Sequence, residues 1–268
     1  MKKNLVITSA INYDWKKIKL FLRSFLKYLS KEDLIIIIGI KDIKLKKILI
    51  KYKVKYYEVK VHRYDIQQKR YCFYLDILKK NFHEKVLICD SRDIFFQKNI
   101  FSFNFRKKIN FFLEDKKIKD EEANSHWILN SLGSKEFNKI SNKSISCSGT
   151  VLGRRDAIVD YCNLINQCFK THPYKKRLKY ILLFQTDKDS RGVDQAYHNF
   201  LIYNNYFKCF QLFDNKSGPI ATVGLSQILK FNSNGKLINN KKKIFSIVHQ
   251  YDRKLDHFKK KNYLRNLL

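Results

Sequence analysis

Four apolar residues, Val86-Leu87-Ile88-Cys89, run without interruption into Asp90-Ser91-Arg92-Asp93. An apolar run this short, bounded by polar residues, reads as a strand buried on both faces, and such strands belong to sheets covered by helices on either side. Its acidic end then falls at the sheet edge, where α/β folds bind ligands. One stretch therefore constrains both an architecture and a place within it.

The chain around it alternates accordingly. Leu5 to Ala10 predicts a first buried strand that ends in small hydroxylated residues. Asp14 can cap a helix whose apolar residues Trp15, Ile18, Leu22, Phe25, Leu26 and Leu29 form one stripe. Asp33 to Ile40, with four consecutive isoleucines, predicts the next strand, followed by a short basic helix to about Lys51 and a third strand from Tyr56 to Val61. Lys69 and Arg70 lead into a helix over Tyr71 to Lys80. Alternating strand and helix predict an α/β fold with a mostly parallel, twisted central sheet covered by helices on both sides. At 268 residues, 44% apolar and 29% charged, the chain is globular and can bury a large core, expected as a single domain.

Further on, Asn110 to Leu113 closes on Glu114 and Asp115. The interval from Lys116 to Asn142, polar apart from His126-Trp127, reads either as an excursion over the cleft or as connecting helices. Ile145 to Gly153 sets small polar residues and two glycines beside a strand, for close approach of a ligand or for a tight strand crossing. Asp156 starts a helix, Thr186 to Val193 is a loop, and Asp194-Gln195 begin a helix to about Tyr203. Asp194 is there either an N-terminal cap or, with Gln195, a hydrogen-bonding pair for sugar hydroxyls. Asn234-Gly235 turns between short strands Gln227 to Phe231 and Lys236 to Ile238, and a last strand, Ile244 to Val248, delivers His249-Gln250-Tyr251-Asp252-Arg253.

Charge is a poor guide to partner here. With 55 Lys and Arg against 24 Asp and Glu, the net +31 is a field that attracts nucleic acid, anionic lipid or acidic glycan. Yet Lys, Ile and Asn are abundant together, as in AT-rich coding sequences. The lysines are spread along the chain and no nucleic-acid-binding signature appears, so no nucleic acid is expected. Ten Lys and Arg between Lys236 and Arg265 fit peripheral contact with an anionic membrane at its inner face, or a solvated basic tail. No signal peptide and no 18-residue apolar run is present, and the six cysteines form no C-x-x-C pair, so a cytoplasmic protein with free thiols is expected.

The chemistry concentrates on carboxylates. Asp90 and Asp93 repel each other unless positive charge lies between them, either a divalent cation carrying a diphosphate or a salt bridge from Arg92. Neither a G-x-G-x-x-G after the first strand nor a P-loop occurs, so a bound nucleotide needs other neutralisation. Arg70 can supply it, or it is a solvated surface residue.

Four motifs occur in a familiar order: Asp90-Ser91-Arg92-Asp93 with Ile94-Phe95-Phe96-Gln97, then Ser148-Gly149-Thr150-Val151-Leu152-Gly153, then Asp194-Gln195, then Val248-His249-Gln250-Tyr251-Asp252-Arg253. Over about residues 4 to 255 the chain resembles glycosyltransferase-like proteins with the nucleotide-diphosphosugar transferase (GT-A) fold and, more distantly, the retaining family 8 glycosyltransferases. The resemblance implies a GT-A domain over 1–255, with a nucleotide-binding half to about 115 and an acceptor-side half from about 116, before a basic tail, 256–268. In such enzymes a D-x-D motif and a late His hold Mn²⁺ or Mg²⁺ on the donor diphosphate. Asp90 matches the first Asp and His249 looks like the late ligand. Arg92 stands in the second D-x-D place, which leaves Asp93 as a ligand or as the partner of Arg92. Arg70 resembles the basic residue over the donor, Thr8 and Ser9 the loop that meets the nucleotide, and Asp194 and Gln195 the pair that reads hydroxyls. Arg70, Asp194 and Gln195 are thus the implied catalytic set, and Asp252 or a nearby carbonyl is the expected partner for the second nitrogen of His249. The implied activity is metal-dependent transfer from a nucleotide sugar, a UDP-sugar by preference, to a glycan or lipid-linked acceptor. A non-catalytic protein of the same fold and a basic nucleic-acid binder are the alternatives.

Overall fold

The structure is a computed structural model that describes residues 4–62, 65–174, 192–226 and 228–260. In chain order its first half contains β1 (Leu5–Ser9), α1 (Trp15–Tyr28), β2 (Asp33–Gly39), α2 (Ile43–Lys51), β3 (Lys55–Val59), α3 (Ile66–Lys80), β4 (Lys85–Cys89), β5 (Ile94–Phe96) and β6 (Ile109–Lys117). Then follow α4 (Glu122–Ile140), β7 (Ser144–Arg154), α5 (Arg155–Thr171), α6 (Val193–Tyr203), β8 (Phe210–Phe213), β9 (Ile220–Thr222), β10 (Lys230–Phe231), β11 (Leu237–Ile238), β12 (Ile247–His249) and α7 (Leu255–Lys260).

The unbroken apolar runs are explained by where alternate residues go. Leu5, Ile7, Ile35, Ile37, Val86 and Ile88 enter a core shared with Tyr71, Tyr74 and Leu78 of α3 and Tyr161 and Ile165 of α5. Their neighbours Val6, Leu34, Ile36, Ile38, Leu87 and Cys89 enter the opposite core, against Phe21, Leu22 and Phe25 of α1 and Leu45 and Leu49 of α2. Side chains alternate across a strand, so in a sheet with helices on both faces both sets are buried and apolar residues follow one another without alternation. Asp14 caps α1 as expected, accepting from Lys17 N at 3.0 Å.

The seven strands of the central sheet run β3-β2-β1-β4-β7-β6-β8. The first four are mutually parallel and β7 is reversed between β4 and β6. The chain leaves β1 for β2 and β3 on one side and returns to β4 on the other, which makes the β1/β4 boundary the switch point at which such sheets bind ligands. One sheet spans both expected halves, and their boundary at 115 falls inside β6.

Three expectations change. The last strand runs Ile247–His249 rather than Ile244 to Val248, so His249 belongs to it: β12 lies between β5 and β9 in a separate three-stranded sheet, antiparallel to β5 and parallel to β9. That sheet is fastened to α1 through Phe96, whose ring packs on Phe21 and Phe25 and whose N–H donates to Ser24 Oγ at 3.0 Å. The helix carrying Arg70 starts at Ile66, so Arg70 is fixed inside α3. The expected tail is partly core, because Phe258 of α7 is buried on Phe95 and Phe231. The interval from 116 to 142 is largely helix, broken at Gly133, where φ is 83°. All six cysteines are free thiols. The expected loop 186–191, residue Gln227 and the tail from 261 lie outside the described residues. No helix among the described residues is long and apolar enough to cross a membrane.

Helix α6 is held on β7 where β6 slips out of register, at Phe111 to Leu113. Asn199 Oδ1 accepts from Ser146 N at 2.8 Å and its amide donates back to Ser146 O at 3.0 Å. Gln195 Oε1 accepts from Ser148 N at 2.7 Å, and His198 bridges Ser146 Oγ and Tyr161 OH, each at 2.9 Å. Side chains here replace the ladder partners that the bulged strand withholds. Burial, with a smaller contribution from Arg70, holds the His198 pKa down at about 3.

The unfolded chain takes up that proton near pH 6.5 and the folded one only near about 3. The unfolded state thus binds more protons within this window, and stability falls as pH falls through it, by about 1.4 kcal/mol per pH unit from this group. Denaturant titrations at stepped pH should show that slope. His198→Gln should flatten it while costing about 1–3 kcal/mol at neutral pH through the Ser146 and Tyr161 hydroxyls left unpaired.

Candidate functional site

Five segments converge at the switch-point edge: Ser9 ending β1, Asp90 to Asp93 after β4, Cys147 to Gly149 of β7, Asp194 and Gln195 opening α6, and His249 ending β12. Together they line a cleft of about 820 Å³. The β5–β12 pairing sets His249 opposite Ile94, directly after Asp93, and Tyr251 N donates to Asp93 O at 3.4 Å.

His249 is 1% exposed. Its Nε2 lies 3.6 Å from Asp90 Oδ2 and 3.7 Å from Asp93 Oδ1 and has no hydrogen-bond partner. One donor atom from each of Asp90, Asp93 and His249 falls within 4.8 Å of the others. Gly149 makes room for this cluster: a Cβ there would stand 2.5 Å from His249 Cε1 and 2.6 Å from Asp90 Oδ2. The orphaned nitrogen, two carboxylates and a backbone cradle that tolerates no side chain fit a divalent cation such as Mn²⁺ or Mg²⁺. The other ring nitrogen, Nδ1, meets Cys147 Sγ at 3.6 Å. Asp252, expected in that role, pairs instead with Arg92 Nη2 at 3.4 Å.

Burial disfavours every charge in this cluster, and the neighbours decide the outcome. Burial pushes the Asp90 carboxyl up, but the His249 imidazole and the Arg70 guanidinium outweigh it and hold the pKa at about 2. Asp93 is raised, by burial first; His249 and Arg92 pull it down less than burial and Asp90 push it up. His249 moves well above its ordinary value, because Cys147, Asp93 and Asp90 overcome the burial that disfavours the imidazolium. A cation coordinated by His249 must displace that proton.

Arg70 is not a solvated surface residue. Its side chain is 14% exposed, donates to Asp90 Oδ1 at 3.1 Å and forms an ion pair with Asp194 Oδ2. Asp194 does not cap α6, whose N-cap is Gly192; its carboxylate is taken by Arg70 and by Tyr71 OH at 2.9 Å. Gln195 lines the cleft while its carbonyl oxygen secures Ser148 N. Arg92, half-exposed, pairs with Asp93 Oδ2 at 3.6 Å, so Asp93 faces both His249 and Arg92. Ser9 lines the cleft and its carbonyl accepts from Ser91 Oγ at 2.9 Å. Thr8 does not: it is fully buried within β1.

Several lining residues escaped the sequence reading. Glu114 is buried, its carboxyl raised chiefly by burial, and it accepts from Gln250 Nε2 at 3.5 Å. Its signal was available, since it ends an apolar run as Asp90 does. Gln250 adopts a left-handed φ of 58° and leaves its Oε1 buried without a partner, which no spacing announces. Tyr13 lies beside the acidic cluster, its phenol raised by burial and by Asp90. No protein-family model matches the chain, and no curated protein matches it.

Calorimetric titration with Mn²⁺ should show one site whose affinity rises with pH, because binding releases the His249 proton. His249→Ala should weaken it by about 10- to 100-fold, and Gly149→Ala should do likewise by pushing the side chains apart. Unchanged affinity in both variants would place the cation elsewhere. Asp194→Asn leaves a buried guanidinium without its main counter-charge, and denaturant unfolding should register a loss of roughly 3–5 kcal/mol. Adding Arg70→Gln should cost less than the sum of the single changes.

Proposed function

We propose that the protein is a metal-dependent glycosyltransferase on a GT-A type domain, moving a sugar from a nucleotide-diphosphate donor, a UDP-sugar by preference, to a glycan or lipid-linked acceptor. The observation that carries this reading is the cluster of Asp90, Asp93 and His249 in the wall of a cleft at the sheet's switch point. Residues from all four motifs behind the resemblance, Asp90 to Asp93, Ser148-Gly149, Asp194-Gln195 and His249-Gln250, line that one cleft although they are scattered through the sequence. Their convergence supports a shared task, and a volume of about 820 Å³ suits a nucleotide sugar.

Mn²⁺ or Mg²⁺ held by Asp90, Asp93 and His249 would supply the positive charge that a departing diphosphate requires. The chain's own groups set the stage for it. Arg70, clamped between Asp90 and Asp194, fixes the orientation of the Asp90 carboxylate. Arg92 and Arg253 line the same cleft and add positive charge where phosphate oxygens would lie. Asp194 and Gln195 are pinned by Arg70, Tyr71 and Ser148, a rigid wall suited to reading hydroxyls. A leaving diphosphate stabilised in this way needs no strongly basic nucleophile from the protein.

A panel of nucleotide sugars with Mn²⁺, scored for nucleotide release, tests the reaction. UDP binding measured by calorimetry should require Mn²⁺ or Mg²⁺, and Asp90→Ala should abolish that requirement together with turnover. Equal UDP affinity in EDTA and in Mn²⁺ contradicts the proposal. Metal-dependent binding without release from any donor identifies a non-catalytic sugar-nucleotide binder.

A further inference from the structure

We propose that the outer face of α2 docks on an anionic membrane surface, with Ile43 and Ile50 entering the interface and Lys44, Lys47 and Lys51 meeting the headgroup charge. Affinity for the bilayer does not rest on the glycosyltransferase reading; its use, to hold the cleft beside a lipid-linked acceptor, does.

Helix α2 buries one face only. Leu45 and Leu49 enter the core with Leu34 and Ile36 of β2, and the opposite arc carries Ile43, Lys44, Lys47, Ile50 and Lys51, all exposed. Ile43 and Ile50 stand two turns apart on one side of the helix, with Lys47 between them. They are 61% and 56% exposed, and Ile40, just before the helix, is exposed as well. Three of the seven large apolar side chains that stand exposed among the described residues thus fall in one short stretch, whereas ordinary surfaces scatter them singly. The charge is equally one-sided. From Ile40 to Lys51 there are five lysines and one acid, Asp42, which precedes the helix. Asp42 is turned inward, its Oδ2 accepting from Gly39 N at 2.7 Å and Asn12 N at 3.0 Å. Lys46 pairs with Glu58 at 2.9 Å, at the margin of the face. A nucleic acid would match the lysines but leave the isoleucines in water, and an apolar protein patch would match the isoleucines but desolvate the lysines. An anionic bilayer takes both, since apolar tips sink to the acyl boundary while lysines reach up to the phosphates. The start of this face is tied to the cleft, because Asn12, held by Asp42, lines the cleft with Ile11 and Tyr13.

Flotation of the full chain with vesicles of phosphatidylcholine alone, and of phosphatidylcholine and phosphatidylglycerol in equal parts, tests this. The protein should float with the anionic vesicles only. Lys44→Gln, Lys47→Gln and Lys51→Gln together should weaken binding about 100-fold, at roughly 5-fold for each lysine near the surface. The same loss of charge at the exposed Lys116, Lys117 and Lys119, at the end of β6 across the sheet from β2, should weaken it far less. Ile43→Ser with Ile50→Ser keeps every charge and should still weaken binding about 10-fold. Both side chains are exposed, so the melting temperature should stay the same and report that the variant is folded. The proposal is overturned by equal flotation with both vesicles or with neither, or by isoleucine changes that leave flotation intact. Equal losses from the two lysine triples overturn it too, by assigning attachment to net charge or to the basic tail. So does sedimentation showing that the isoleucine changes act by dissolving a dimer. No nucleotide, sugar or metal enters this assay, so failure of Mn²⁺-dependent UDP binding would sink the transferase reading and leave this result standing, and the converse holds equally.

Discussion

Carboxylates gathered at a buried sheet edge cannot stay ionised without positive charge among them. Beside the half-exposed Arg92, which pairs with Asp93, two buried side chains supply it from opposite directions. Arg70 enters from α3 and joins Asp90 to Asp194, which ties the end of β4 to the start of α6. His249 enters from β12 and stands between Asp90 and Asp93. Remove either and the remaining acids repel in a medium that screens them poorly. The other features of the edge follow from keeping these groups together: the glycine in β7, the amide anchors of α6 and the short second sheet.

Much of the frame was legible because it obeys short periods. The runs at Leu5, Leu34 and Val86 announce strands buried on both faces, and the stripe from Trp15 to Leu29 announces its helix. The interval after Lys116 was harder. Its helix is interrupted at Gly133 and presents mixed polar and aromatic residues to a cleft, so no clean apolar stripe forms. The start of α3 was misplaced for a related reason, because Ile66-Gln67-Gln68 offers little periodicity.

The candidate site divides along the same line. Asp90, Asp93, Arg70, Asp194 and His249 meet in space; four of them end an element, open one or directly adjoin one, whereas Arg70 stands inside α3 and was singled out because the start of that helix was placed after it. Thr8 was misjudged since the last residues of a strand look alike in sequence, whereas only Ser9 reaches the cleft. Cys147 as the neighbour of His249 Nδ1 and Glu114 beside Gln250 depend on which strands adjoin, and non-local pairing leaves no local trace. The partner assigned to Asp252 failed likewise: three residues from His249 along the chain, it turns toward Arg92.

The placing of β12 also orders events in time. It is the middle strand of its sheet, flanked by residues 94–96 and 220–222, so neither neighbour can pair with it until the ribosome has passed His249. Strands β1 to β4 of the central sheet, by contrast, are all present in the chain once Cys89 has been made. A nascent chain therefore carries Asp90 and Asp93 without the imidazole that completes their cluster until β12 has been made. The cluster of Asp90, Asp93 and His249 is therefore closed by the strand that the chain supplies last of the three in its sheet.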